Sequence, residues 1–276
     1  MKIDYRINAV KPYINWDYFF YAWGVHNKPD EEKQRLRDEA EATLAQYSWR
    51  YQTHALFLLL DANSDGDDIV VKGQGTRSKE QEKRCEVRLP MLRQQQTPPC
   101  LCMADFIRPL SSGVTDKIGV FATSVDSGME SDFDADPYLK MMMQLLADRL
   151  AEATAERLHK EVRQTYWGYA PHEHIDMQQL HTEQFQGIRP AIGYPSLPDT
   201  SLNFVLDELL HLQQIGIRLT ESGAMKPHAS TSGLMIAHPQ ARYFDIGHIG
   251  EDQLKDYAHR RGMPIDEMRR FLSANL

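Results

Sequence analysis

The chain has 276 residues, 42% of them hydrophobic and 25% charged, a balance typical of a globular protein with length for one large domain or two small ones. A net charge of −8 argues against broad nucleic-acid binding, which needs a basic face to displace counterions, and no apolar run approaches the roughly 20 residues of a membrane span. The opening residues, Met1 to Arg6, lack the apolar stretch of a secretion signal, and three cysteines (Cys85, Cys100, Cys102) suit a reducing cytoplasm better than a disulfide framework.

In chain order, an aromatic entry from Tyr13 to Trp23 precedes a Glu-, Arg-, Ala- and Leu-rich stretch from Asp30 to about Tyr47, predicted as a helix with a wide solvated face. The run Ala55–Leu60 predicts a buried strand, Asp61–Asp68 a loop, and Ile69–Val71 a second strand; Ile118–Thr123 is another. From Pro137 to about Tyr166, Leu139, Met142, Leu146, Leu150, Thr154, Leu158 and Val162 recur at helical spacing and share one face. A second amphipathic helix starts at Leu202, capped by Asp199 or Ser201 and ended by Gly216. Strands at about Leu234–Ala237 and Arg242–Ile246 predict a hairpin, and two short helices, about Asp252–Arg260 and Pro264–Leu272, close the chain. The clustering of strands and helices predicts an α+β fold, and no shift in composition marks a second domain.

Two loops offer chemistry. Gly187–Asp199 holds three prolines that restrict its backbone, a glycine (Gly193) that permits close approach, and an arginine (Arg189) suited to gripping a carboxylate with two parallel hydrogen bonds. On spacing alone, a surface turn with a solvated arginine is the plainer reading. Thr220–Gly233 is rich in small and hydroxyl residues that can face a ligand or simply connect elements. His172, His174 and His181 lack the spacing of a zinc site. Asp61–Asp68 lacks the final glutamate of a calcium loop, and Cys100-Leu101-Cys102 has no second pair.

Taken together, the motifs resemble a known family. Arg189-Pro190-Ala191-Ile192-Gly193-Tyr194-Pro195-Ser196-Leu197-Pro198 resembles the Arg-Pro-Ala-x-Gly-Tyr-Pro-x-Cys-Pro signature of the activation domain of cobalamin-dependent methionine synthase. Tyr13-Ile14-Asn15-Trp16, Ala104-Asp105-Phe106, Ala147–Ala153, Tyr166–Pro171, Leu219–Ser222, Asp256-Tyr257-Ala258 and Arg260–Met263 match in the same order, from about Lys11 onward. The resemblance implies a single C-shaped α+β domain over residues 1–276, residues 1–50 included as a helical segment, with a twisted, largely antiparallel sheet and flanking helices. It implies S-adenosylmethionine as a bound cofactor, and the repair of oxidised cob(II)alamin to methylcobalamin with an electron from a flavodoxin-like donor. The reduced cobalt is the nucleophile, so the protein needs no catalytic base and must position the methyl group.

Carried over residue by residue, the resemblance gives Arg189 the ligand carboxylate, Ala191 and Gly193 backbone contacts, and Glu152 the amino and sulfonium charges. Tyr243 and Phe244 line the ligand site and Tyr194 faces the corrin. Three departures stand out: Asn15 replaces an aspartate, Leu197 a cysteine and Phe244 a tyrosine. A neutral Asn15 forms a weaker hydrogen bond than a carboxylate, so lower affinity for S-adenosylmethionine is expected. The chain lacks the Asp-x-His-x-x-Gly motif of the lower cobalt ligand (Asp245–Gly250 has other spacing) and has no room for the homocysteine, folate and cobalamin modules. Cobalamin is therefore expected on a partner synthase chain, reactivated in trans. The alternatives are a sensor or chaperone that binds S-adenosylmethionine or a corrinoid without methyl transfer, and a metal-dependent hydrolase built on the three histidines.

Overall fold

The computed structural model describes residues 1–73, 85–96 and 98–276. It begins with β1 (Lys2–Arg6), the single turn α1 (Ile7–Val10), the aromatic α2 (Trp16–Trp23) and α3 (Asp30–Tyr47). Asn15 starts α2 by accepting the Asp17 N–H on Oδ1 at 3.1 Å. Next come β2 (Gln52–Asp65), β3 (Asp68–Gly73), β4 (Cys85–Pro90) and β5 (Asp116–Val125). A turn of helix, α4 (Gly128–Ser131), leads to the 25-residue α5 (Pro137–Glu161), whose last carbonyls run on into a π-helical turn, Val162–Tyr166. The remainder is α6 (Met177–His181), α7 (Leu202–Leu210), β6 (Arg218–Leu219), β7 (Met225–Lys226), β8 (Ser230–Met235), α8 (Glu251–Arg261) and α9 (Ile265–Phe271).

The main sheet runs β4-β3-β2-β5-β8, every neighbouring pair antiparallel. β2 serves two partners along one edge: Gln52–Leu56 pairs with β1, and Asp61–Asp65 with β3. Both faces of its centre are covered. Ala55 and Phe57 point to the layer of α2, α3 and α5, while Leu56 and Leu60 point to the layer under α7. An antiparallel strand buried on both faces reads as an unbroken apolar run, as Ala55–Leu60 does. α5 docks on β5, where Thr123 Oγ1 donates to the Ala151 carbonyl at 2.9 Å. A third, smaller cluster packs α8 against α9 around Leu254, Tyr257, Met268 and Leu272.

Three expectations are corrected. The predicted loop Asp61–Asp68 is mostly strand, with the turn confined to Gly66–Asp67. Its polar residues are satisfied internally: Asn63 donates to the Arg108 and Val114 carbonyls at 3.1 and 2.8 Å, and Ser64 to that of Ile107 at 2.9 Å. The predicted hairpin Leu234–Ile246 does not form, and Arg242–Ile246 is not a strand. The β8 edge it would need is occupied by residues 188–192, described below. α7 ends at His211 (φ +54°), while Gly216 ends the separate turn Leu212–Ile215. Among the described residues, no helix is long and apolar enough to cross a membrane.

Candidate functional site

Residues 188–192 lie along β8 as an added antiparallel segment. Ile188 and Ile236 exchange hydrogen bonds at 2.9 and 3.0 Å, Leu234 N donates to the Pro190 carbonyl at 3.0 Å, and Ile192 N to the Ser232 carbonyl at 2.9 Å. The closeness depends on Gly233, where an added Cβ would collide with the Pro190 oxygen and stand 2.9 Å from Ala191 Cα. Beyond it, Gly193 takes φ +87° and donates its N–H to the Leu197 carbonyl at 2.7 Å, closing a tight turn. That turn grips the chain that follows β8: Ile246 N donates to the Pro195 carbonyl at 3.0 Å, and Ser196 Oγ accepts from Phe244 N at 3.1 Å and donates to Phe244 O. Phe244 and Tyr243 are thereby held over the loop.

Between this loop, α5 and the N-terminal segment opens a cleft of about 650 Å³. That volume is in the range that holds a cofactor-sized molecule. α5 lines it with Arg149, Glu152, Ala153 and Glu156, residues on one helical face. Phe121 and Thr231 come from the sheet, Asn15 and Tyr18 from the start of α2, and His181 and Glu183 from the end of α6.

Arg189 is the centre of the charge arrangement. Its Nη2 lies 3.1 Å from Glu156 Oε2, and its backbone N–H donates to Tyr243 Oη at 2.9 Å. Burial alone would lower the basicity of the guanidinium, but Glu156, Tyr243, Glu152 and Glu183 outweigh it and raise the pKa above its ordinary value. Tyr194 Oη donates to Glu152 Oε1 at 3.1 Å, and the negative charge of Glu152, then burial, pushes this phenol up to about 12. Burial raises the carboxyl pKa of Glu183, with Arg189 opposing.

Of the residues singled out in the sequence, Asn15, Glu152, Arg189, Ala191, Tyr194, Tyr243 and Phe244 all line the cleft. Gly193 does not: its N–H is spent on Leu197, so it shapes the turn. Leu197 is buried in the core under α7, which accounts for an apolar residue there. Phe244 packs on Phe106 with ring centroids 6.4 Å apart. His181 turns to the cleft, its Nε2 3.3 Å from the Tyr13 carbonyl, whereas His172 and His174 do not line it. Among the described residues, no three His, Cys, Asp or Glu side chains are grouped as metal ligands. From Thr220–Gly233 only Thr231 lines the cleft. Sequence reasoning missed Glu156, although its position one turn after Glu152 on an amphipathic helix was a usable signal.

A charged cleft at the edge of an antiparallel sheet flanked by helices defines an α+β domain with a concave site of cofactor size. The family model for the activation domain of vitamin B12 dependent methionine synthase matches residues 6–262, and the chain belongs to that family. A crystal structure of the MetH reactivation domain bound to AdoHcy is similar to it throughout, with a TM-score of 0.91 and 37% sequence identity over 100% of this chain and 90% of that one.

Proposed function

We propose that the cleft binds S-adenosylmethionine and that the chain, as one domain over residues 1–276, supports reductive methylation of cobalamin carried by a methionine synthase chain. It acts in trans in the cytoplasm, with the electron from a flavodoxin-like donor. The observation that carries this reading is the largely buried Arg189 beside Glu156, at the wall of a cleft large enough for a nucleoside joined to an amino acid. The similar reactivation domain holds AdoHcy, which is what S-adenosylmethionine becomes on losing its methyl group.

Arg189 takes the ligand carboxylate through the guanidinium edge that Glu156 leaves free. Glu152 supplies negative charge for the sulfonium, and Asn15 a neutral polar contact. Ala191 offers backbone contact, and Tyr243 and Phe244 pack against the ligand. Tyr194 is 53% exposed at the rim and offers its ring to the corrin. When bound, the cobalamin supplies the cobalt nucleophile that receives the methyl group. The chain's own part is orientation and charge, with no proton to abstract.

The test has two stages. Calorimetry should detect S-adenosylmethionine binding, and methyl-labelled S-adenosylmethionine with a reductant should label the corrinoid of a synthase truncated before its activation domain, only when this chain is added. Binding without transfer would favour the sensor or chaperone reading. No binding would overturn the function proposed for the cleft.

A further inference from the structure

The loop that carries Arg189 and Tyr194 is tied to β8 at its start, and at its far end to a helix, α8, that lines no part of the cleft. Asp199, two residues past the Gly193–Leu197 turn, is 1% exposed. Its Oδ1 accepts the Ser201 N–H at 2.8 Å, and its Oδ2 accepts the Tyr257 hydroxyl at 2.9 Å. Arg261 Nε lies 3.4 Å from the same Oδ2, and Arg261 Nη2 donates to Ser201 Oγ at 2.8 Å. Tyr257 and Arg261 stand one turn apart on α8, and little of either side chain is exposed. Burial, then the charge of Asp199, holds the Tyr257 phenol well above its ordinary pKa of 10, so it stays a donor. A carboxylate buried this deeply is stable only where its donors are, so Asp199 cannot shift without losing them. Its position is passed directly to the turn. Only Pro198 separates it from Leu197, whose N–H donates to the Tyr194 carbonyl at 2.8 Å and whose carbonyl accepts the Gly193 N–H. Thr200 supports the turn from its other side: a Cβ added to Gly193 would lie 3.4 Å from Thr200 Cγ2.

We infer that Tyr257 and Arg261 are positioning residues for the cleft: through Asp199 they hold the turn that carries Tyr194 and, through Ser196, the covering pair Tyr243 and Phe244. Ligand affinity is thereby set in part from α8, outside the cleft. This rests on the reading of the cleft as an S-adenosylmethionine site. Arg189 is fastened separately by the pairing with β8, so the anchor governs the turn and leaves the seat of the arginine unchanged.

The experiment compares Tyr257→Phe, which removes one donor and keeps the ring, with Ile7→Val, a trimmed core residue in the opposite layer that lowers stability by a similar amount. S-adenosylmethionine is titrated calorimetrically into both variants and into the full parent chain, and amide hydrogen exchange is followed residue by residue. Tyr257→Phe should weaken binding about three- to tenfold. It should also speed exchange at Gly193 and Leu197 more than at Ile192 and Leu234, whose amides are bonded along β8. Ile7→Val should bind as the parent does. Asp199→Asn, which turns an amide N–H₂ toward one of its donors, should exceed Tyr257→Phe in both effects. Parent-like affinity in Tyr257→Phe or Asp199→Asn would overturn the anchor. So would an equal loss in Ile7→Val, or exchange that quickens evenly over turn and strand. Those outcomes leave the reading of the cleft standing, whereas a parent chain that binds no S-adenosylmethionine overturns that reading and the positioning role with it.

Discussion

Tyr243 and Arg189 meet through the backbone: the tyrosine hydroxyl accepts the Arg189 N–H at 2.9 Å, linking the segment after β8 to the loop it covers. Tyr243→Phe removes that acceptor and leaves the amide without it. Affinity for S-adenosylmethionine should fall by about 1 kcal/mol, roughly fivefold, with the fold intact. Calorimetry alongside a thermal melt checks this, and an unchanged affinity would mean the bond plays no part in setting the loop.

Arg189→Lys keeps the charge but loses the planar fork. It should weaken S-adenosylmethionine by about tenfold or more while lowering stability little. Arg189→Met is different in kind, because it leaves the Glu156 carboxylate buried without its counterion. Breaking such a pair costs about 3–5 kcal/mol, so urea unfolding should shift markedly for Met and barely for Lys.

Gly233→Ala tests how closely the loop and β8 must approach. The new Cβ meets the Pro190 carbonyl, backbone that cannot swing aside, and the Leu234 N–H to Pro190 O bond must lengthen. A loss of about 1–3 kcal/mol in stability is expected, together with loss of ligand binding because Arg189 is carried with the loop. Wild-type affinity in this variant would show that the site tolerates displacement of Pro190.

His159 sits one turn beyond Glu156 and is fully buried. Burial above all, then the charges of Arg163 and Arg189, holds its imidazole pKa well below the ordinary 6.5. The unfolded chain therefore binds a proton near pH 6.5 that the folded chain refuses. This part of the stability is complete above pH 6.5 and is lost as pH falls, at up to about 1.4 kcal/mol per pH unit. His159→Gln should flatten the pH dependence of stability below 6.5, as read from denaturant melts at several pH values.

Asn15 both caps α2 and lines the cleft. Asn15→Asp keeps a capping oxygen, adds negative charge near a helix N-terminus and faces a cationic ligand. Tighter binding of S-adenosylmethionine is expected, several-fold or about 1 kcal/mol, and the gain should shrink with added salt. Asn15→Ala should lose about 1 kcal/mol of stability along with affinity.

Where side chains repeat with the period of their element, the sequence was legible. α3 is legible to its ends, and α5 to its π-helical exit, because Met142, Leu146, Leu150 and Leu158 mark the buried stripe directly. The misreadings came from partners remote in sequence. Asn63 and Ser64 look like loop residues until residues 107–114 supply their acceptors. Arg242–Ile246 looks like a strand until residues 188–192 take the edge it would pair with. The site was legible in part for the same reason. The signature loop pointed to Arg189 and Tyr194, but the ion pair with Glu156 spans 33 positions, and the cleft walls from Tyr18, His181 and Glu183 have no local mark.

Since residues 188–192 are hydrogen-bonded along β8, the arginine-bearing loop is tied to the sheet by its own backbone. Its ordering was completed during folding, so a molecule entering the cleft need not wait for a loop to close. Capture should therefore proceed at a rate governed by collision and charge, and vary little among variants of the cleft. Substitutions at Glu156, Arg189 or Tyr243 should instead change how long the molecule stays, and so how often a bound methyl donor is still in place when a cobalamin partner arrives.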